Sequence, residues 1–378
     1  MNYTQTKEIL EKYKQTQLLK YYDELNEFQK ETLLSQIEQV DFSVIELCDN
    51  PTEQTAKGEL KPLGALTIDE IENNKDTYKQ KGIELIKAGK VGAVLLAGGQ
   101  GTRLGFDGPK GTYNIGITKD LYIFEMQIRN LMDVVKEANA WIPLFIMTSD
   151  KNNDATIEFF EKHGYFGYNK EYVTFFKQEM APSVGFDKKI LLEEKGKLSL
   201  SPNGNGGWYV SLKKSGALKK ALDMGVEWFN IYAVDNVLQR SADPVFVGAT
   251  VLSGCSSGAK VVATADPHER VGVLCLEDGR PSIVEYYEMT DEIINSREPD
   301  GRLSYNYGVI LNYLFKIDVL EEIVSKALPT HVVEKKIPYI DDNANLIKPD
   351  KPNGYKFELL VLDMIHLFPD CCSCEVVR

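Results

Sequence analysis

The chain has no excess of positive charge: 43 Lys and Arg stand against 56 Asp and Glu, a formal net charge of −13. A protein that follows a nucleic-acid backbone needs a basic face to displace counterions, so that class is excluded as a whole-surface function and any anion site has to be local. Apolar runs of about 18 residues, the length that crosses a bilayer, are missing. The opening MNYTQTKEILEKYKQ also lacks the apolar core of a secretory signal. No membrane partner is therefore expected, and a cytoplasmic protein is. Paired zinc-type cysteines are missing as well. Three of the six cysteines (Cys371, Cys372, Cys374) crowd into DCCSCEVVR, but no CxxC pair is matched by a second pair or a suitably spaced histidine. Reduced thiols in or beside a C-terminal strand are the expectation. Internal repeats and low-complexity tracts are absent.

What is present is an ordinary globular composition, 43% hydrophobic and 26% charged over 378 residues. That length exceeds the usual size of one core, so one large domain with appendages, or two domains, is expected. From Ile9 to Val40 apolar residues recur at helical spacing. The stretch 49–67 is rich in Pro, Gly and Thr and reads as a linker or extended arm, and a helical Lys/Glu pattern resumes from Ile68 to Ala88. Residues 1–88 are thus expected to form a helical N-terminal region with an arm.

After Gly89 short apolar runs alternate with helical segments: VGAVLLA (91–97), IPLFIMT (142–148), YVTFF (172–176), WFNIYAV (228–234), KVVATA (260–265) and VGVLCL (271–276). Such alternation predicts an α/β fold, a mixed but mainly parallel sheet covered by helices on both faces, over 89–370.

The loop behind the first run, AGGQGTRLGFDGPKG (97–111), carries the chemistry. It follows the end of an expected parallel strand, where open α/β sheets bind ligands. Its glycines let backbone N–H groups come close to an anion or a base. The spacing fits neither a P-loop, because Lys110 follows a proline, nor a dinucleotide fingerprint, because Gly105 comes one position late. Arg103 and Lys110, seven residues apart, suit a polyphosphate: a guanidinium spans two phosphate oxygens and an ammonium acts as a point charge.

This stretch resembles the LxGGxGTRLG…PKG signature of the sugar-nucleotidyltransferase superfamily. Further segments, FFKQEMAPSV (175–184), SPNGNGGWY (201–209), YAVDNVLQRSADPVFVG (232–248), VGVLCLEDGRPSIVEYYE (271–288) and KKIPYIDDNANLIKPDKPNGYKFELLVLDMI (335–365), resemble in order the eukaryotic UDP-N-acetylhexosamine pyrophosphorylase family. The likeness runs from about residue 90 to the end. It implies a Rossmann-like nucleotide-diphospho-sugar transferase fold and UTP and N-acetylhexosamine 1-phosphate as partners. The implied reaction forms UDP-N-acetylglucosamine and pyrophosphate. A phosphate oxygen attacks the α-phosphorus in line, a task of positioning and charge stabilisation that needs no covalent nucleophile.

The resemblance also implies roles. Arg103 would hold the β and γ phosphates, Lys110 the crowded charge at the α-phosphate, and Lys356 the substrate phosphates. Asp235 would hold Mg²⁺; read alone it could equally open a turn. Ala97, Gly98, Gly99, Gln178 and Gly204 would face uracil, Asn205 the N-acetyl group, and Gly272 and Glu285 the sugar hydroxyls. In YNYGVILNYLF an asparagine usual in the family is replaced by Val309, so one polar sugar contact is lost, with Asn306 placed to compensate. The chain stops at CEVVR where the family continues into an F-x-P-x-K-N motif and a small domain. Residues 371–378 are accordingly expected to begin a C-terminal domain that is cut short. A monomer is compatible with this reading. The competing readings are a UDP-glucose or broad-specificity UDP-sugar pyrophosphorylase, and a non-catalytic UDP-sugar-binding protein.

Overall fold

The computed structural model describes residues 1–49, 57–323 and 328–378. Contacts divide the chain into a smaller unit, 1–56 with 179–207 and 329–360, and a larger one, 57–178 with 208–328 and 361–378. This division and the expected one at 88/89 run differently. Residues 57–88 pack into the larger unit, for reasons given below. Part of the expected arm, 50–56, lies outside the described residues.

In the smaller unit two helices, α1 (Tyr3–Lys12) and α2 (Glu27–Glu38), each begin in a capping box, Asn2 with Gln5 and Asn26 with Gln29. Reciprocal capping satisfies N–H groups that a helix start leaves without partners. The apolar stripe anticipated over Ile9–Val40 is buried as Leu10, Leu18, Leu33 and Ile37, in one cluster with Val184, Ile190, Leu198 and Phe357. A three-stranded sheet of Val184–Gly185, Gly354–Leu359 and Thr330–Lys335 completes the unit.

The larger unit is built on ten strands: β1 (Leu60–Pro62), β2 (Val91–Leu96), β3 (Leu144–Thr148), β4 (Val173–Lys177), β5 (Trp228–Ala233), β6 (Ser257–Ala263), β7 (Val273–Glu277), β8 (Arg280–Val284), β9 (Tyr307–Lys316) and β10 (Cys372–Glu375). The order is β1-β7-β9-β5-β2-β3-β4, with β8 on β7, and β6 joining β9 to β10. The sheet is mixed. The block β5-β2-β3-β4 is parallel throughout, whereas β5 with β9, and β9 with β6 and β7, run antiparallel.

In the parallel block, alternate residues feed two cores. Ala93 and Leu95, Leu144 and Ile146, and Trp228 and Tyr232 join a cluster with Leu131 and Val134. Val94 and Leu96, Phe145 and Met147, and Phe229 and Ile231 join another with Trp208 and Leu212. Burial on both faces is why these strands read as unbroken apolar runs. The first core is covered by α4 (Lys75–Lys87), which follows the short α3 (Ile68–Asn73), by α5 (Ile123–Ala138) and by α6 (Asn153–Lys162). Helices α7 (Trp208–Lys214) and α8 (Ala217–Asp223) cover the second, and α9 (Pro244–Leu252) returns to the first.

Two connections explain the contact division. β1 pairs with β7, and Ile86 of α4 shares a core with Val247 and Ala249 of α9, so 57–88 are committed to this unit. The cysteine-bearing stretch 371–378 supplies β10, parallel to β6, with Cys372 and Cys374 turned into the core and their sulfurs 3.8 Å apart. Leu66 donates to Ser373 and accepts from Glu375, which ties the arm to this strand.

Candidate active site

All four parallel strands end on one edge of the sheet, and their C-terminal ends carry most of the residues expected to handle the nucleotide. β2 leads into the glycine loop. Gly101 N–H donates to Gly108 O at 2.9 Å, and Lys110 N–H to Gly99 O at 3.2 Å, closing the loop on itself. Its tip is a single 3₁₀ turn, Thr102–Leu104, ended by Gly105 at φ 67°. Thr102 to Gly105 are exposed. Arg103 makes no hydrogen bond or ion pair among the described residues, so its guanidinium stands in solvent ready for an external anion.

The base of the loop is held more firmly. Asn152, buried at the start of α6, donates to Ala97 O at 2.9 Å and Gly99 O at 3.3 Å, and the Ser149 hydroxyl donates to Gly98 O at 2.9 Å. Three successive carbonyls, 97 to 99, are thus engaged by side chains. Gln178 sits buried just past β4, its N–H donating to Thr148 O at 2.8 Å. A Cβ on residue 98 would stand 2.8 Å from Gln178 Oε1, so only glycine admits the carboxamide there. Ala97, Gly98, Gly99 and Gln178, expected together around a uracil, are brought together. Ser149 and Asn152 were not anticipated, although TSDKN directly after an expected strand is where such a clamp would be sought.

Lys110 and Asp235 lie 125 positions apart and meet in an ion pair, the lysine half-buried and the carboxylate exposed. Asp235 follows β5 as the sequence pattern implied. A single exposed carboxylate with hard oxygens fits Mg²⁺, which keeps waters and takes phosphate oxygens instead of filling an all-protein cage. No cluster of three or more metal-ligating side chains occurs among the described residues.

Of the residues expected at the sugar, Gly272 directly precedes β7, Glu285 directly follows β8 and Asn306 directly precedes β9, the strand that carries Val309. Val309 N–H donates to Gly272 O at 2.9 Å, and a Cβ on Gly272 would meet Ile283 at 2.9 Å and Glu285 at 3.4 Å. Gly272, Glu285 and Val309 are thus neighbours. Asn306 precedes β9 and accepts from Thr264 N–H at 2.8 Å through its backbone carbonyl.

Gly204, Asn205 and Lys356 belong to the smaller unit. Gly204 has φ 89°, and a Cβ there would lie 2.2 Å from Leu359 O. Both the dihedral and the close carbonyl demand glycine. Asn205 opens the 3₁₀ turn Asn205–Gly207, and Lys356 stands on Gly354–Leu359 opposite Val333. Leu359 N–H donates to Asn203 O at 2.7 Å, joining the turn to the lysine's strand. A separate cavity of about 560 Å³ is lined by Glu161, Gly164, Tyr165, Tyr168, Asn169 and Lys170, none of which the phosphate chemistry calls for.

Residues 44–378 match the family model described as UTP–glucose-1-phosphate uridylyltransferase. The chain belongs to this family. The UDP-N-acetylhexosamine pyrophosphorylase-like protein 1 of Xenopus tropicalis is 36% identical over 387 residues, covering 96% of this chain and 76% of that protein. The UDP-N-acetylglucosamine pyrophosphorylase of Saccharomyces cerevisiae is 34% identical, over 97% of this chain and 82% of its own length. Against the mouse pyrophosphorylase-like protein 1 the chain spans 61% of the relative's length. The fold is shared with the crystal structure of the Trypanosoma brucei UDP-N-acetylglucosamine pyrophosphorylase in complex with inhibitor: TM-score 0.84 at 25% identity, covering 98% of this chain and 78% of that one.

Proposed function

We propose that this chain is a uridylyltransferase that makes UDP-N-acetylglucosamine and pyrophosphate from UTP and N-acetylglucosamine 1-phosphate. The observation that carries the proposal is the meeting of Lys110 with Asp235. A cation from the loop after β2 and a carboxylate from the end of β5 converge at the edge where a parallel sheet receives its ligand.

The chemistry needs two anions to approach each other. One oxygen of the sugar phosphate forms a bond to the α-phosphorus of UTP as the bond to the β-bridging oxygen breaks, and pyrophosphate departs with that electron pair. Lys110 offsets the repulsion around the α-phosphate. Arg103 holds the outer phosphates and stabilises the charge that grows on the leaving group. Lys356 takes the incoming phosphate. Ala97 to Gly99, Gln178 and Gly204 face the base, and Asn205, Gly272, Glu285 and Asn306 the sugar. Asp235 is the residue that would hold Mg²⁺, whose charge, when bound, neutralises phosphate oxygens. Lys110, paired with Asp235 in this structure, would be free to turn to phosphate if Asp235 held the ion.

A cytoplasmic location is part of the proposal. All six cysteines are free thiols, as a reducing compartment leaves them, and no helix among the described residues is long and apolar enough to cross a membrane.

The test is pyrophosphate release from UTP with N-acetylglucosamine 1-phosphate and, separately, glucose 1-phosphate. Faster turnover of the acetamido sugar supports the assignment. An equal or faster rate with glucose 1-phosphate transfers it to a UDP-glucose enzyme, and tight UDP-sugar binding without turnover to a binding protein.

A further inference from the structure

The connection from β5 to α9 carries Asp235 and is ten residues of irregular chain, 234–243, at the ligand edge, a place where loops are commonly mobile. This one is held by side chains from α5, from β6 and from the loop itself, with Gln127, Gln239 and Lys260 buried and Asn130 half-buried. Gln127 of α5 donates to Asn236 O at 2.9 Å, and Asn130, one turn further along, donates to Val237 O at 2.8 Å and Gln239 O at 3.0 Å. The Gln239 carboxamide folds back onto Ala233 O at 3.1 Å, and Lys260 of β6 reaches Arg240 O at 3.1 Å. Five backbone carbonyls are thereby fixed.

Two of these donors, Gln239 and Lys260, are themselves linked to further groups. Asn230 of β5 donates to Asn312 of β9 at 2.7 Å, and Asn312 donates to Gln239 Oε1 at 3.1 Å. The Asn230 oxygen accepts from Ala242 N–H at 2.7 Å, which holds Ala242 at φ 47°, a conformation a non-glycine residue keeps only under outside constraint. Lys260 pairs with Asp243 at 2.8 Å, and Asp243 caps α9. Asn230 and Asn312 are fully buried, and Lys260 is 4% exposed.

A network of this kind is costly to bury and serves only when complete. Packing alone would need apolar groups here. What the network does that apolar groups would not is hold the backbone on the C-terminal side of one carboxylate. We propose that it is a positioning device for Asp235, with Asn130 and Lys260 as its positioning residues, so that a nucleotide-bound divalent ion meets a carboxylate already in place. This rests on the reading of Asp235 as the metal-holding residue.

The experiment uses the full chain with Mn²⁺ and UTP, following free Mn²⁺ by its paramagnetic resonance signal alongside kcat and KM. Lys260→Met leaves the Asp243 charge buried and destabilises the fold, so Asn130→Leu, at a half-buried helix position, is the decisive variant. Support groups behind a metal ligand typically contribute about 10–100-fold in affinity or activity. Asn130→Leu is accordingly expected to weaken Mn²⁺ binding and lower kcat by about tenfold, with the KM for sugar phosphate and the melting temperature nearly unchanged. Asn130→Leu with native Mn²⁺ binding, where Asp235→Asn loses it, overturns the proposal. Native Mn²⁺ binding in Asp235→Asn overturns the metal reading itself.

Discussion

Two loops at the same sheet edge are built in opposite ways. The loop from Asp235 to Asp243 has carbonyls captured by side chains from α5 and β6, and behind them lies a buried amide chain. The loop from Gly99 to Lys110 is closed by its own backbone, with a side-chain donor, Asn152, only at its base on Gly99, and its tip with Arg103 is exposed. On the proposed function, the difference would follow from what each has to do. A carboxylate that shares an ion with a nucleotide is useful only if its position is set in advance, since any reorganisation subtracts from stabilisation of the transition state. A guanidinium that holds a leaving pyrophosphate has to admit the substrate and release the product, which asks for access and motion.

The comparison can be broken at several points, beginning with the largest effect. Lys260→Met should destabilise the folded chain by about 3–5 kcal/mol, as breaking a buried pair from one side does, and urea unfolding measures it. An unchanged midpoint would mean that the rigid loop does not depend on this pair. Arg103→Ala should leave the urea midpoint where it is, because the side chain has no described partner, and should lower kcat by about 10²–10³-fold. Wild-type turnover in that variant would remove the phosphate role.

Gly98→Ala should raise the KM for UTP, on the order of tenfold, by displacing the Gln178 carboxamide, with a smaller change in the KM for sugar phosphate; about 1.4 kcal/mol corresponds to that factor. The smallest effect is one of pH. Burial opposes the Asp243 charge most strongly, but the Lys260 charge and hydrogen bond, Arg240 and the Val245 N–H outweigh it and hold the carboxyl below its usual range. Its folded value is therefore lower than the unfolded value of about 3.9. The stabilisation is complete above the unfolded value and is lost as pH falls through the lower folded one. The stability gap between wild type and Asp243→Asn should stay constant from about pH 7 to pH 5 and narrow only below about pH 4.

Legibility followed the same contrast. The strands of the parallel block were readable because burial on both faces leaves continuous apolar runs, and the observed bounds of β2, β3, β4 and β5 differ from the runs by one or two residues. The glycine loop was readable because its chemistry is local: glycines and two cations within a short stretch. Arg103 on its open tip, the Lys110 and Asp235 pair, and the Gly98 and Gln178 contact all lie where the motif order led. The clamp of Ser149 and Asn152, the network behind Asp235 and the contact division that places 57–88 in the larger unit were not anticipated. Asn130, Asn230 and Asn312 are single amides in unremarkable segments. Their partners lie 107, 12 and 73 positions away, and no local pattern marks a side chain whose function is to hold a distant carbonyl.

The sequence by itself determined the α/β class, the strands of the parallel block and the charged groups on the loops that follow them, because apolar periodicity and charge on a glycine loop express themselves over a few residues. Only the tertiary structure decided which of those groups is held rigid and which is left free. The hydrogen bonds that hold the chain after Asp235 exist once β5, β6, β9 and α5 are packed side by side, and the packing is a property of the whole sheet.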